Sequence, residues 1–174
     1  MPPLALFDRD GTLVVDKHHQ FDPGAMEWID GAFDALRLVR RAGYRLAVIT
    51  NQSTVARGIC TEAQVQHFHD VMAERLQREG IAIDHWAYCP FHGDGVVEPY
   101  RIADHPDRKP NPGMITRALR QWNAEPTRSF MIGDAVTDVQ AGENAGILGV
   151  RYVGNEPLDR AVARVVQGLA FRPD

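Results

Sequence analysis

Two kinds of apolar block alternate along this chain. One is a short continuous run, the form taken by a strand buried on both faces of a parallel sheet. The other spaces its apolar positions three and four apart, as one face of a helix requires. The opening run Leu4-Ala-Leu-Phe7 is of the first kind and stops abruptly at Asp8-Arg-Asp10-Gly11-Thr12. The polar stretch from Leu13 to Pro23, with His18, His19 and Asp22, predicts an exposed loop over the end of that strand. Ala32, Phe33, Leu36, Leu38 and Val39 then follow helical spacing, opened by Asp30-Gly31 and closed by Gly43. Tyr44 to Thr50 predicts a second strand, and Thr61 caps a helix predicted to reach about Glu79. Ile81 to Tyr88 predicts a third strand.

The second half repeats the alternation after an interruption. Cys89 to Lys109 is rich in Gly, Pro, Asp and His, and a loop of that length in a compact domain is usually functional or mobile. Pro112 to about Trp122 predicts a helix, with proline in the first turn where it is tolerated. Ser129 to Asp134 predicts a strand, Val136 to Ala145 a short helix, Gly146 to Val153 a strand, and Pro157 to about Ala170 an amphipathic helix. Strands alternating with helices predict an α/β fold: a three-layer, doubly wound, mainly parallel sheet covered on both faces. With 174 residues and no internal repeat, residues 1–174 are expected to form one domain.

Composition narrows the function classes. A net charge of −4 argues against a general nucleic-acid or anionic-membrane surface, while leaving room for a phosphate ligand held by a few local cations. Two cysteines, Cys60 and Cys89, make no disulfide framework and suit a reducing cytoplasm. No apolar run approaches the length of a membrane span, and the N-terminus lacks the basic and apolar regions of a signal peptide. The expectation is a cytoplasmic monomer acting on a small molecule.

The chemistry gathers at strand ends. Ligands of open α/β sheets bind at the carboxyl ends of the strands. Asp8/Asp10, Thr50, Lys109 and Asp134 all fall at such ends or just beyond. Paired carboxylates repel one another unless a hard cation, most often Mg²⁺, sits between them. Two acids, a hydroxyl, an ammonium and a further acid are what phosphoryl transfer through an aspartyl-phosphate requires. A receiver-like phospho-acceptor, which keeps that phosphate as a signal, uses a similar set; Asp10 argues for hydrolysis instead, because it supplies an acid/base.

The ordered segments D-R-D-G-T, T-N-Q-S, R-K-P-N-P-G-M and M-I-G-D-A-V-T-D resemble the four motifs of the haloacid dehalogenase superfamily of phosphatases. The closer resemblance is to the D,D-heptose 1,7-bisphosphate 7-phosphatase family, through Asn51 to Gly58, Tyr88-Cys-Pro90 and Arg108 to Met114. The histidinol-phosphate phosphatases are a sister group with the same motifs. The resemblance implies a Mg²⁺-dependent phosphatase of a small phosphorylated sugar, made for surface polysaccharide, with no large cap domain. It implies Asp8 as nucleophile and Mg²⁺ ligand. Asp10 becomes the general acid/base, with its backbone carbonyl on the metal. Thr50 and Lys109 hold the transferring phosphoryl group, and Asp134 completes the metal site with support from Asp138. Arg108 is implied in substrate recognition, and Asn51, Gln52 and Ser53 in lining the pocket.

Members of this family often bind structural Zn²⁺ in the loop after the third strand. Here the pattern is altered to Cys89, His92, His105 and Asp107. All four residue types can ligate zinc, but the histidine is shifted by one position, and a zinc-free polar loop is the favoured reading. Two further departures are Ala135, where lysine is common, and Thr54, where glycine is common. His67 and His69, two apart on a helix, do not share a face and are read as surface or partly buried residues.

Overall fold

The fold was taken from a computed structural model, which describes residues 1–18 and 21–170. His19 lies outside the described residues. Five strands form a single sheet: β1 (Leu4–Phe7), β2 (Arg45–Asn51), β3 (His85–Cys89), β4 (Phe130–Gly133) and β5 (Leu148–Arg151). Every neighbouring pair is parallel, in the order β3-β2-β1-β4-β5. The chain therefore winds outward from β1 to β3, then crosses back to place β4 on the other side of β1. That reversal makes the β1/β4 boundary the switch point, where such sheets open a crevice for ligands.

Strand β1 is central and shielded on both faces, which is why its four residues are all apolar and fully buried. Its side chains alternate between two cores. Ala5 and Phe7 join Leu36, Val39, Phe68, Met72 and Val162 beneath α1 (Ala32–Arg41), α2 (Glu62–Arg78) and α5 (Leu158–Ala170). Leu4 and Leu6 join Ile49, Met114, Ile115 and Ala118 under α3 (Gly113–Gln121) and α4 (Val136–Asn144). The helix–sheet–helix layering is the one expected, and no large cap is present among the described residues. Thr61 caps α2 in a reciprocal capping box with Gln64, as its sequence position indicated.

Three expectations are corrected. Strand β3 begins at His85 rather than Ile81, because Asp84 turns back to accept the Leu46 N–H at 2.8 Å and to pair with Arg40 and Arg45. Strand β5 is likewise shorter than its apolar run. The stretch after Thr12 is not wholly an exposed loop: Leu13 and Val14 are fully buried, and Val14 bridges to both Asp10 and Trp28. That anchoring holds the Asp8–Thr12 turn against the core.

Candidate active site

Asp8 stands one residue beyond β1, and its N–H donates to the Ile132 carbonyl of β4 at 2.9 Å. Asp134 follows Gly133 at the end of β4, directly across the switch point. Gly11 lets the two approach. It has φ +77°, and a Cβ built there would lie 2.5 Å from Asp134 Oδ2, so a side chain is excluded twice over. Thr50 lies near the end of β2. Lys109 arrives from the long loop and is locked by Asn51, whose Oδ1 accepts the Lys109 N–H and whose Nδ2 donates to the Lys109 carbonyl, both at 3.1 Å. A cleft of about 320 Å³ has Asp8, Asp10, Thr50, Lys109, Asp134 and Asp138 in its lining.

The Lys109 ammonium organises the floor. Its Nζ lies 2.7 Å from Asp8 Oδ1, 2.6 Å from Asp138 Oδ1 and 2.8 Å from the Ile49 carbonyl. Asp138 does two tasks, since its other oxygen accepts the Ala135 N–H at 2.9 Å and caps α4. Asp138 is thus a residue of the cleft floor with a contact the sequence concealed: spacing marks it as a helical cap, and nothing local reveals the ion pair to Lys109. Burial pushes the Asp8 carboxyl up to about 7; Lys109 opposes this, while Asp138 and Asp10 add to it. Burial also raises Asp134, with Asp138 contributing. Burial pulls on Lys109 in the opposite sense, but Asp8 and Asp138 outweigh it and hold the ammonium above its ordinary value.

The carboxylates fit a hard cation. Among the described residues, the one trio of metal-ligating side chains whose ligand atoms lie within 4.8 Å of one another is Asp8, Asp134 and Asp138. One lysine cannot balance three acids, and the donors are all oxygens, the preference of Mg²⁺. The Asp10 carboxylate is not part of that trio. Gln52 Nε2 donates to Asp10 Oδ2 at 2.9 Å and to Thr50 Oγ1 at 2.9 Å, and Arg9 holds the carboxylate from the other side.

The remaining candidates divide. Asn51, Gln52 and Ser53 line the cleft. Arg108 does not; its guanidinium donates to the Phe91 carbonyl at 3.0 Å and is half-buried. Burial lowers the pKa of Arg108, and the charge of neighbouring Arg57 lowers it further. Arg57 sits one turn beyond Ser53, its N–H on the Ser53 carbonyl at 3.0 Å. Reasoning from sequence passed over Arg57, although it lies within the quoted Asn51–Gly58 segment. Cys89, His92, His105 and Asp107 are not gathered into a metal-binding group among the described residues. Asp107 is engaged by both terminal nitrogens of Arg117, at 2.5 and 2.8 Å. The His105 ring stacks on Phe91 at 3.9 Å, and His92 Nδ1 accepts the Asp94 N–H. The loop is held by these contacts. Thr54 accepts from the buried Cys60 thiol at 3.1 Å, which ties down the turn carrying Ser53.

Fold and cleft together define a hydrolase that acts at phosphorus. Residues 24–146 match the model of the haloacid dehalogenase-like hydrolases, and the chain belongs to that family. It is 41% identical, over 94% of its length and 90% of the relative's, to the D-glycero-β-D-manno-heptose-1,7-bisphosphate 7-phosphatase of Rhodopseudomonas palustris. It is 38% identical to the enzyme of the same name from Escherichia coli K12, over 83% of this chain and 75% of that one. A crystal structure of a candidate haloacid dehalogenase-like phosphatase from Mesorhizobium loti superposes with a TM-score of 0.84 at 31% identity, covering 97% of this chain and 87% of that one. The D,D-heptose 1,7-bisphosphate phosphatase of B. bronchiseptica, solved with magnesium and phosphate, shares the fold at TM-score 0.79 and 24% identity, covering 95% and 99%. The chain is a phosphatase of this family. The receiver-like reading falls with that result, and the sheet agrees: the flavodoxin-like order 2-1-3-4-5 of receivers is not the order found.

Proposed function

We propose that this phosphatase removes the 7-phosphate of D-glycero-β-D-manno-heptose 1,7-bisphosphate through a phosphorylated Asp8. The observation that carries the chemistry is the meeting of Asp8, Asp10, Thr50, Lys109 and Asp134 around one cleft. A carboxylate oxygen of Asp8 attacks phosphorus. The bond from phosphorus to the sugar oxygen breaks, its electron pair stays on that oxygen, and Asp10 delivers the proton. Asp10 then takes a proton from water, the resulting hydroxide attacks the same phosphorus, and Asp8 is released with inorganic phosphate. The Lys109 ammonium and the Thr50 hydroxyl bind the phosphoryl oxygens as charge moves onto them. Asp8, Asp134 and the Asp10 carbonyl would hold Mg²⁺, which supplies neutralisation of the phosphoryl charge.

The choice of substrate rests on the relatives and on the cationic pair Arg57/Arg108. Two neighbouring guanidiniums, Arg57 one turn beyond the cleft-lining Ser53 and Arg108 beside it, suit a second phosphate that extends past the cleft, and they would repel the ammonium of histidinol phosphate. Steady-state assays with Mg²⁺ should rank the heptose bisphosphate well above histidinol phosphate. Arg57→Ala and Arg108→Ala should each raise KM for the bisphosphate about tenfold, the weight of one charge-assisted contact, and should barely alter KM for a sugar monophosphate. Preference for histidinol phosphate would reject the assignment. The two cysteines and the small anionic substrate fit work in the cytoplasm; among the described residues, no helix is long and apolar enough to cross a membrane.

A further inference from the structure

We propose that His69, on the far side of Arg9 from the cleft, is a positioning residue that fixes the Asp10 carboxylate for proton transfer. The inference rests on reading Asp10 as the acid/base. Arg9 is 1% exposed, and its guanidinium grips Asp10 as a fork. Nε lies 3.1 Å from Oδ1 and Nη2 lies 2.9 Å from Oδ2. The remaining edge of the same guanidinium faces α2, where Nη1 meets His69 Nε2 at 3.2 Å. Arginine only donates, so His69 Nε2 must accept and the ring proton must sit on Nδ1. The ring is neutral in the fold, because burial and the Arg9 charge push its pKa down to about 3.

The histidine is itself held in place. Its ring stacks on Trp86 with centroids 5.1 Å apart and meets Tyr88 edge-on at 5.7 Å. Phe68, its neighbour in α2, lies under the Arg9 guanidinium at 4.3 Å. A chain of contacts thus runs from β3 through α2 to one carboxylate. Pairing an arginine with Asp10 answers a need for charge. A neutral histidine aimed at the far edge of that arginine adds no charge; it adds direction. The guanidinium is planar, so fixing Nη1 fixes the plane in which Nε and Nη2 present Asp10. Gln52 grips the same carboxylate from the cleft side, so Asp10 is aligned from two directions.

The test compares kcat/KM, which reports the step that expels the leaving group, on two substrates. From the heptose bisphosphate the sugar is expelled through an alkoxide oxygen that needs the proton of Asp10. p-Nitrophenyl phosphate leaves as a stabilised phenolate that does not. His69→Phe keeps a ring against Trp86 and removes the acceptor. It should lower kcat/KM for the sugar phosphate about tenfold or more, part of the 10²–10⁴ that general acid catalysis supplies. It should change the aryl phosphate less than about threefold, with KM for both nearly constant. His69→Gln, whose amide oxygen can replace Nε2 as acceptor, should recover most of the loss. Equal loss on both substrates, or no loss, overturns the inference. Should His69→Phe not fold, Arg9→Lys, which keeps the charge but loses the fork, must show the same selective loss for the inference to stand. Asp10→Asn run alongside separates the two claims. If it retains the sugar-phosphate rate, the acid/base reading fails and this inference with it. If it loses that rate and His69→Phe does not, this inference alone fails.

Discussion

Removing one member of the Asp8–Lys109–Asp138 triad should cost far more than its count of contacts suggests. Asp138 is 1% exposed and Lys109 3%, and they meet at 2.6 Å. Breaking a buried ion pair by deleting one partner costs about 3–5 kcal/mol, because the other charge is left uncompensated. In Asp138→Asn the single remaining oxygen can serve Lys109 or the Ala135 N–H, but not both, and the lost cap adds up to about 1 kcal/mol. For a chain of this size each kcal/mol corresponds to roughly 2–4 °C in Tm, so a fall of roughly 6–24 °C is expected. The assay is thermal and urea denaturation in EDTA for wild type, Asp138→Asn, Lys109→Met and the double variant. The double variant removes both charges and should be markedly more stable than additivity predicts, with a coupling energy of about 1–3 kcal/mol. Two single variants within about 1 kcal/mol of wild type, or strict additivity, would refute the triad as a coupled unit.

Other expectations follow from the same geometry. Asp10→Asn should lower phosphate release by about 10²–10⁴ while its circular dichroism stays near wild type; near-normal release would remove Asp10 from the mechanism. The buried neutral ring of His69 has a folded-state pKa of about 3, below its unfolded value of 6.5, so the unfolded chain binds the extra proton. Stability from this site is therefore present above about pH 6.5 and is lost as pH falls toward 3, by roughly 5 kcal/mol at the limit. Denaturation midpoints of His69→Gln across that window should fall less steeply than those of wild type. Gly11→Ala places a Cβ 2.5 Å from Asp134 Oδ2 at a positive φ. It should weaken Mg²⁺ binding in calorimetry and cost more than about 1 kcal/mol in stability; unchanged Mg²⁺ affinity would separate Gly11 from the metal site.

The parts of the molecule that were legible in advance share a physical basis. Buried parallel strands must be continuously apolar, so an acid at the end of one, as at Asp8 and Asp134, stands out against its background. Helix punctuation by Thr61, Gly43 and Gly80 is local chemistry and reads directly. What stayed hidden depends on contacts between distant segments. His69 reads as a surface or partly buried residue because it shares no helix face with His67, yet it is buried against Arg9, sixty residues earlier in the chain. Asp138 reads as a cap, and it is one, but its second oxygen meets a lysine delivered by a loop of its own design. Arg108 adjoins Lys109 in sequence, so both read as residues of one pocket; only Lys109 lines the cleft, while an Arg108 nitrogen reaches back to the Phe91 carbonyl. The zinc ligands read as a set only because the family pattern groups them, whereas Arg117 and Phe91 claim two of the four here.

The account depends most on covalent phosphorylation of Asp8, and chemical trapping tests it directly. Rapid quenching of the enzyme with Mg²⁺ and the heptose bisphosphate, followed by borohydride reduction and peptide mass spectrometry, should convert residue 8 from aspartate to homoserine. Rapid phosphate release with residue 8 unmodified, or with the acyl-phosphate trapped at another carboxylate, would contradict it.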